Sequence, residues 1–263
     1  MDSKQLIQKF NITANKSLGQ NFLHRDDILD DIANAAFGKT KTAIEVGAGL
    51  GVLSNRLCGG FDSVTTVEID RSLKEVTDFT LKDCKNHKMV YSDFLRVDFK
   101  ELCGGQKVTV VGNLPYYITS DILKRLIKNR EYISRAVIMI QKEAADKLIA
   151  EPGNKNYRAI SVMAGITCKV TKLFDVSPDC FIPAPHVTSS VVALDFYQTE
   201  IDSKFFEFVN TVFSARRKKL TSVLKGENQK QNAIKTLESL GFNASTRAEQ
   251  LNPEQIYKIF VNL

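Results

Sequence analysis

The sequence predicts an α/β fold in which a doubly wound, mainly parallel sheet is followed by a small all-helical region. Five short apolar runs alternate with helix-patterned segments over the first 150 residues, and this alternation is typical of a parallel sheet with helices on its faces. A glycine-rich turn directly follows the first run, as at the first strand-to-helix turn of such sheets. After residue 200, apolar residues recur at helical spacing. We therefore expect two domains, residues 1–200 and residues 201–263.

The predicted elements begin after a weakly structured start, residues 1–15. Asp26 or Asp27 is expected to cap a first helix that ends before Gly38. Apolar runs predict strands at residues 42–46, 64–67, 89–91, 107–111 and 136–140, and later strands at 162–166, 170–174 and 190–196. Helical spacing predicts helices at residues 52–57, 72–81, 118–128 and 142–150, then from residue 201, at 231–240 and at 253–261.

Composition argues against several classes of protein. Hydrophobic residues make up 43% and charged residues 25% of the 263 residues, as in globular proteins. No run approaches the ~18–20 apolar residues that cross a membrane, and we see no secretory signal, so we expect a cytoplasmic protein. The five cysteines form no C-x-x-C pair and the three histidines lie far apart, so we expect neither a disulfide framework nor a metal site. The net charge of +6 favours a polyanionic partner.

The loop at residues 111–117, Val-Gly-Asn-Leu-Pro-Tyr-Tyr, joins the fourth predicted strand to a helix. In open α/β sheets, ligands bind at this edge. Pro115 fixes its own φ and biases Leu114 away from the helical region, so the loop can aim the Asn113 amide oxygen and the Leu114 carbonyl at one point. With the aromatic face of Tyr116, these acceptors suit a planar group with an exocyclic amine, such as adenine. The alternative is an ordinary proline turn after a core strand.

The glycine-rich turn at residues 47–51 has the sequence Gly-Ala-Gly-Leu-Gly. Gly47 and Gly49 let the backbone approach a ligand closely. Their spacing differs from the G-x-G-x-x-G of dinucleotide sites, and it favours an uncharged ribose and a zwitterionic tail over a pyrophosphate.

Acidic residues follow the second and third predicted strands. Glu68 lies 21 residues after Gly47, at about the distance where an acid accepts hydrogen bonds from ribose hydroxyls; otherwise it is a cap or a surface acid. Asp93 either bonds the exocyclic amine of a bound adenine or caps a helix. Asp70 is expected to cap the helix at 72–81.

Two later stretches leave alternatives open. Residues 181–187, Phe-Ile-Pro-Ala-Pro-His-Val, predict a stiff extended loop, in which Phe181 either stacks on a base or lies in the core. Four consecutive basic residues form either a solvated charge run or a patch that contacts phosphates, and the net positive charge favours the patch. They are Arg216, Arg217, Lys218 and Lys219.

Taken together, the Glu-Val-Gly-Ala-Gly-Leu-Gly turn, the acids after the strands and the Asn-Leu-Pro-Tyr loop resemble the S-adenosylmethionine-dependent rRNA adenine N6-dimethyltransferases. Within that family the chain is most similar to the branch that modifies small-subunit (16S) rRNA. Further matching stretches lie at residues 16–23, 139–143, 181–190 and 216–220. One departure is Tyr157-Arg158-Ala159-Ile160-Ser161, where the family usually has Tyr-Gly-x-Leu-Ser. The resemblance implies a Rossmann-like methyltransferase fold with a seven-stranded, mainly parallel sheet.

The resemblance also implies roles for individual residues. The Asn-Leu-Pro-Tyr loop carries the chemistry, with Asn113, Leu114, Pro115 and Tyr116. S-adenosylmethionine is bound without a metal, by Asn21, Leu23, Gly47, Gly49, Glu68, Asp93 and Asn113. The target base stacks on Tyr116, with Phe181 on its other face. Arg216, Arg217, Lys218 and Lys219 bind RNA.

By the same resemblance, the substrate is a pair of adjacent adenines in the 3′-terminal hairpin loop of 16S rRNA, within the immature 30S subunit. We expect a monomer. Two rivals are a resistance-type enzyme that dimethylates one adenine of large-subunit (23S) rRNA and a non-catalytic relative that only binds nucleic acid. The intact Asn-Leu-Pro-Tyr loop argues against the latter. A DNA or protein methyltransferase is also a rival, although these typically have Pro where Leu114 stands.

Overall fold

The computed structural model describes residues 1–198 and 200–263, which divide into two compact units. The first unit comprises Met1–Ala145 and Thr171–Tyr197, and the second comprises Asp146–Val170 and Gln198–Leu263. The strands are β1 Phe22–Leu23, β2 Thr42–Val46, β3 Ser63–Glu68, β4 His87–Tyr91, β5 Val108–Asn113, β6 Ile133–Gln141, β7 Cys168–Val176, β8 Phe181–Ile182 and β9 Ser189–Phe196. The helices are α1 Ser3–Lys9, α2 Asp26–Ala36, α3 Val52–Cys58, α4 Lys74–Thr80, α5 Phe99–Leu102, α6 Thr119–Lys128, α7 Lys142–Leu148, α8 Ala159–Thr167, α9 Ser203–Ser214, α10 Glu227–Ser239 and α11 Pro253–Val261.

The main sheet confirms the predicted α/β architecture. In the described chain its seven strands run in the order β4-β3-β2-β5-β6-β9-β7. Each neighbouring pair among β4, β3, β2, β5 and β6 is parallel. Strand β9 then pairs with β6 in the antiparallel direction. Strand β2 has β3 on one side and β5 on the other, so the strand order reverses there. Ligands bind at the carboxyl ends of strands beside such a reversal.

The core of the first unit explains why its helices form where they do. Leu29, Ile32 and Ala36 recur along α2 at helical spacing and are at most 2% exposed. They pack in one cluster with Leu53 and Leu57 of α3 and with buried strand residues. Burying one apolar stripe against the sheet stabilises both helices more than their intrinsic propensity does.

The start of the chain is more ordered than the sequence predicts. The sequence indicates weak structure over residues 1–15, but α1 begins with a capping box between Asp2 and Gln5. Its Leu6 is 1% exposed and packs in a cluster with Leu50 and Leu73. A helix this short is marginal alone, and its capping box and these distant contacts together stabilise it.

The start of α2 also differs from the expectation. Arg25 occupies the N-cap position without a side-chain cap in the described structure, and Asp26 and Asp27 lie in the first turn. Carboxylates in a first turn interact favourably with the helix dipole. Asp26 also pairs with Arg56 of α3, so the two acids act as first-turn charges and not as caps.

The second unit contains the clearest error in the predicted elements. The apolar run at residues 162–166 predicts a strand, but these residues belong to helix α8. A continuous apolar run cannot distinguish a buried strand from a buried helix, and α8 is buried on several sides. A Cβ on Gly165 would lie 2.7 Å from Pro253 of α11, so this glycine permits the close packing of the two helices.

Candidate active site

A cavity of about 240 Å³ opens at the carboxyl ends of β2 and β5 in the first unit. Its lining includes most of the residues that the sequence singles out. They are Asn21, Leu23, Gly47, Gly49, Glu68, Asp93, Asn113, Leu114, Pro115 and Tyr116. Parallel strands place their carboxyl ends along one edge, and this brings together residues as far apart in sequence as Gly47 and Tyr116.

The glycine-rich turn and Glu68 form one wall of this cavity. Gly47 and Gly49 have φ values of 80° and 52°, a backbone conformation that side chains with a Cβ rarely adopt. Glu68 is 6% exposed and accepts hydrogen bonds from the backbone N–H of Gly49 at 3.1 Å and of Asp70 at 2.8 Å. Burial raises the pKa of Glu68, although these N–H donors oppose the shift. The backbone of Ile69 also donates to this carboxylate, and a carboxylate with about four lone pairs can still accept a further donor.

Asn113 lies beside the glycine-rich turn in the cavity wall, since a Cβ on Gly47 would be 4.0 Å from Asn113 O, and one hydrogen bond orients its side chain. Its Nδ2 donates to the backbone carbonyl of Asn21 at 3.1 Å. Among the described contacts, nothing donates to Asn113 Oδ1 or to the Leu114 carbonyl, whereas Leu114 N donates to Met139 O at 3.0 Å. Both acceptors are thus without a donor among the described contacts, and both residues line the cavity.

Tyr116 and Tyr117 lie in one 3-10 turn but have different surroundings. The Tyr116 hydroxyl makes a hydrogen bond of 2.7 Å with Ser189 Oγ, and Ser189 is completely buried in β9. Burial raises the pKa of Tyr116. The Tyr117 side chain is 56% exposed and also lines the cavity. The sequence alone points to a role for neither Ser189 nor Tyr117, because a serine in a strand and a second consecutive tyrosine carry no signal of their own.

Asp93 and Asn21 each combine a local structural contact with a place in the cavity wall. Asp93 Oδ1 accepts from Leu95 N at 2.9 Å, and its other oxygen lies 3.5 Å from Arg96 Nε. Asp93 therefore closes a turn at residues 94–96 and does not cap a helix, because the N-cap of α5 is Asp98, and it stays in the cavity wall. Asn21 Nδ2 donates to Gly19 O at 3.1 Å, which orders the loop that leads into β1.

Phe181 does not lie where a stacking residue is expected. It is 3% exposed and packs in the main core cluster with Leu23 and Leu29. Its strand β8 pairs with β1, so that Phe181 stands opposite Leu23. In this conformation Phe181 is therefore a core residue, which is the second of the two interpretations of the sequence. Stacking of Phe181 on a base stays a prediction, and it requires the loop at residues 181–187 to move.

Glu45, the first residue of the Glu-Val-Gly-Ala-Gly-Leu-Gly motif, has no role assigned from the sequence, and it precedes the glycine-rich turn by two residues. Glu45 of β2 is fully buried and accepts hydrogen bonds from Ser54 and from Thr66, the latter at 3.0 Å. Within the described structure its Oε1 has no partner. Burial raises the pKa of Glu45 to about 8. Near neutral pH a largely neutral carboxylic acid therefore links β2 to Ser54 of α3 and Thr66 of β3.

The four consecutive basic residues divide into two kinds in the second unit. Arg216 donates to the carbonyls of Tyr157 at 3.2 Å and Lys155 at 3.3 Å, and it lies 3.5 Å from Glu249. Arg217, Lys218 and Lys219 are exposed. They line a separate open cavity together with Ser222, Ser245, Arg247 and Gln250. Arg247, which no sequence motif indicates, comes close because its backbone pairs with Lys219.

Other kinds of site are not evident in the described residues. Residues 1–198 and 200–263 contain no cluster of three or more His, Cys, Asp or Glu side chains arranged to hold a metal. In the same residues, no helix has both the length and the apolar character needed to cross a membrane.

Comparison with known proteins supports the family resemblance. The model of a protein family described as ribosomal RNA adenine dimethylase matches residues 11–263. Ribosomal RNA small subunit methyltransferase A of Clostridium acetobutylicum is 35% identical over 98% of this chain and 96% of that protein. The protein of the same name from Clostridium perfringens is 36% identical over 95% of this chain and 90% of that protein.

Two solved structures have a similar fold. A dimethyladenosine transferase from Plasmodium falciparum matches with a TM-score of 0.79 and 25% identity, over 91% of this chain and 96% of that one. The 23S rRNA methyltransferase ErmE matches with a TM-score of 0.72 and 23% identity, over 92% of this chain and 99% of that one. At the latter identity the likeness concerns the fold alone.

Proposed function

Because the chain belongs to the ribosomal RNA adenine dimethylase family, we propose that the cavity at the ends of β2 and β5 is its methyl-transfer site, with small-subunit rRNA as substrate. The protein is an rRNA adenine dimethyltransferase. The observation that carries the proposed site is a pair of acceptors that have no donor in the described contacts, Asn113 Oδ1 and Leu114 O, on two residues that line the same cavity as the glycine-rich turn.

The residues of the cavity fit S-adenosylmethionine as the methyl donor. Gly47 and Gly49 bring bare backbone to the cavity, and Glu68 offers carboxylate lone pairs that match ribose hydroxyls. Asp93 and Asn21 lie at positions suited to the adenine ring and the amino acid tail. When bound, S-adenosylmethionine supplies an electrophilic methyl group. No metal is needed, because the leaving thioether is neutral.

The Asn-Leu-Pro-Tyr loop makes the target nitrogen reactive. The lone pair of adenine N6 is delocalised into the ring, which makes the amine a poor nucleophile. In the first transfer Asn113 Oδ1 and Leu114 O accept the two N6–H groups, so the amine can pyramidalise and direct its lone pair away from them. After each transfer N6 loses one proton, to water or to one of these two oxygens, and in the second transfer a single N6–H remains for the two acceptors. Pro115 holds the two acceptors in place, and the bond from Asn113 to Asn21 fixes the amide orientation. Positioning and electrostatics then supply most of the rate enhancement.

Tyr116 holds the base while it reacts. A paired adenine cannot reach the cavity, so the target base must leave its stack. The Tyr116 ring is anchored through its hydroxyl to Ser189, which gives the base a fixed face for stacking. Phe181 is a second candidate for the other face once the loop at residues 181–187 has moved.

We assign the small-subunit substrate from the relatives with the higher identity. Both Clostridium proteins are named as small subunit enzymes at 35% and 36% identity. The likeness to the 23S rRNA methyltransferase ErmE concerns the fold. We further propose two adjacent adenines of the 3′-terminal hairpin in the immature 30S subunit as targets, a monomeric enzyme and a cytoplasmic location. Arg217, Lys218 and Lys219 are proposed to contact rRNA phosphates.

Methyl transfer from labelled S-adenosylmethionine tests this proposal directly. Unmethylated small subunits and protein-free large-subunit rRNA are supplied separately, and the labelled nucleosides are identified after digestion. We expect dimethyladenosine at two adjacent positions of the small subunit. Label only in the large-subunit rRNA would assign the protein to the resistance-type branch. Absence of label in both, with the donor still bound, would favour a protein that only binds nucleic acid.

A further inference from the structure

Tyr117 is an aromatic side chain at the active-site cavity without an assigned role. It lines the same cavity as Asn113, with 56% of its side chain exposed. In the described part of the chain, its hydroxyl has no hydrogen-bond partner and its ring has no aromatic or cationic neighbour. Single exposed aromatic residues are common on protein surfaces. Its position at the cavity, which the similarly exposed Tyr197 does not share, is therefore what points to a function.

The Tyr117 ring rests on an ordered loop. Gly19 has a φ of 61°, and a Cβ there would lie 3.3 Å from Cδ1 of Tyr117, so this glycine lets the backbone pack against the ring. Gln20 fixes the loop, because its side chain accepts from Asn15 N at 2.8 Å and donates to Asp70 Oδ2 at 2.7 Å. A ring held in advance loses little conformational entropy when a ligand binds.

We propose that Tyr117 forms a second nucleobase subsite, on which the base next to the target adenine stacks. This inference rests on the proposed function of the cavity. A 3-10 turn has three residues per turn, so Tyr116 and Tyr117 point in directions about 120° apart. When the target base moves into the cavity beside Tyr116, its neighbour loses a stacking partner. The Tyr117 ring replaces that partner at the cavity mouth.

A stacking subsite also suits a pair of adjacent targets. Stacking on an aromatic ring discriminates little between bases, because every base has a π-face. For a strand bound in one direction, the same Tyr117 ring can therefore hold one adenine of the pair while the other is methylated, and the next base along the strand while that adenine reacts in turn. An enzyme with one cavity needs such tolerance to modify both positions.

Kinetics on unmethylated small subunits test the subsite. Tyr117→Ala is expected to raise KM for the subunit about tenfold, within the range for loss of one base–aromatic stack. The Kd for S-adenosylmethionine is expected to stay unchanged. Tyr117→Phe keeps the ring and should restore the KM, because stacking does not require the hydroxyl. Tyr197→Ala is the matched control for removal of an exposed tyrosine in the same unit. A normal KM for Tyr117→Ala would overturn the inference.

A double-perturbation cycle shows whether the ring and the neighbouring base touch. Small subunits are assembled on rRNA whose 3′-terminal segment is a ligated synthetic RNA with an abasic ribose next to the target adenine. If the two groups stack, the abasic substrate raises the KM of the wild-type enzyme but not that of Tyr117→Ala. If the abasic substrate and the Tyr117→Ala change raised KM independently, their combined effect would be about a hundredfold. That result would refute the stacking.

Two further results keep the test interpretable. If Tyr117→Ala failed to bind the donor, Tyr117→Leu, which keeps the bulk without a π-face, would replace it, with the same KM increase expected. If the wild-type enzyme methylated no adenine of the small subunit, the proposed function would fail first. Normal wild-type activity with an unaffected Tyr117→Ala and Tyr117→Leu would refute only the subsite.

Discussion

Asn113 makes one side-chain hydrogen bond, and its direction determines which atom faces the substrate. The amide nitrogen is engaged with Asn21 O, so the amide oxygen is turned to the cavity. A symmetric acceptor could not achieve this, because a carboxylate has no donor for the Asn21 carbonyl. The chemistry at this position thus depends on a side chain with one donor end and one acceptor end.

Removing either end of Asn113 should stop methyl transfer. We expect Asn113→Ala and Asn113→Asp to lower kcat by about a hundredfold or more, the cost of removing a preorganised polar group from the transition state. Single-turnover transfer to small subunits measures this effect. The thermal unfolding midpoint should be nearly unchanged, because Asn113 is only partly buried. Turnover at the wild-type rate would exclude the mechanism.

Glu45 should make the stability of the protein depend on pH. Its pKa is about 8 in the folded protein and 4.5 ordinarily, so the folded state holds the proton more tightly. The stabilisation that results from this tighter proton binding is complete at pH values below 4.5, and it is lost as the pH rises through 8. The free energy of unfolding should therefore fall with pH in this window, by at most ~1.4 kcal/mol per unit.

Glu45→Gln provides the measurement, because it keeps the shape and the acceptor but cannot ionise. Urea unfolding at several pH values between about 5 and 8 should give a flatter dependence for this variant than for the wild type. Glu75→Gln, an exposed acid of α4, is the control and should keep the wild-type slope. If the free energy of unfolding depended on pH equally in the wild type and in Glu45→Gln, burial would not raise the pKa of Glu45.

The sequence predicts the places of some residues of the site but not of others. Gly47, Glu68 and Asn113 follow predicted strands, so their shared cavity is a consequence of sheet geometry. The place of Phe181 depends on the pairing of β8 with β1, which joins segments far apart in sequence. Arg216 has the same local sequence character as Arg217, and only distant carbonyl partners distinguish them.

At the scale of the element, β5 must pass very close to β2 to deliver Asn113. A Cβ on Gly112 would lie 2.7 Å from Val46 O and 3.2 Å from Val46 Cβ. The glycine of the Val-Gly-Asn-Leu-Pro-Tyr-Tyr loop is therefore needed for packing, although its φ is not in the left-handed region.

Gly112→Ala should destabilise the first unit by about 1–3 kcal/mol, the usual cost of overpacking a rigid core. Urea or thermal unfolding measures the loss, and methyl transfer should fall with it because Asn113 is displaced. Gly226→Ala is a suitable comparison, since its nearest neighbour would be 3.7 Å away. A Gly112→Ala protein as stable as wild type would show that β5 can shift without cost.

Local pattern predicted most elements, and its failures have a common cause. The parallel strands β2 to β6 lie where apolar runs end at glycine or polar residues. Helices α1 and α8 were missed because tertiary contacts decide them: Leu6 enters a distant cluster, and Gly165 packs on Pro253. Short or uniformly apolar segments carry no periodicity that distinguishes helix from strand.

At the scale of the whole molecule, the net charge of +6 is modest. The places where the basic side chains cluster therefore matter more for RNA binding than the net charge does. Four exposed cations, Arg217, Lys218, Lys219 and Arg247, line one cavity of the second unit. Cations that bind phosphates displace counterions, and this makes binding depend on salt.

Neutralising this group should flatten the salt dependence of RNA binding. We expect the combined Arg217→Gln, Lys218→Gln and Lys219→Gln variant to lower the slope of log K against log salt by roughly 0.7–0.9 for each phosphate that is no longer neutralised. Binding to small subunits at several salt concentrations gives this slope. Lys235→Gln, an exposed cation on α10, is the control. A slope equal to that of wild type would remove the group from the RNA interface.

The division of the chain into units depends on packing that no local pattern reveals. Tyr157 lies in the segment before β7, yet its hydroxyl donates to Leu251 O at 2.8 Å and its ring packs on Phe213. These interactions place residues 146–170 with the C-terminal helices. The predicted domain boundary near residue 200, with an RNA-binding domain after it, stays a prediction.

The 3-10 turn that holds Tyr116 and Tyr117 also limits how this loop can evolve. Because successive side chains of the turn diverge by about 120°, an insertion or deletion between Pro115 and Thr119 would rotate both rings away from their places. Substitution of Tyr117 by another flat side chain would be tolerated, whereas a change of loop length would not. Loops exchanged between related enzymes should therefore transfer function only when they have the same number of residues.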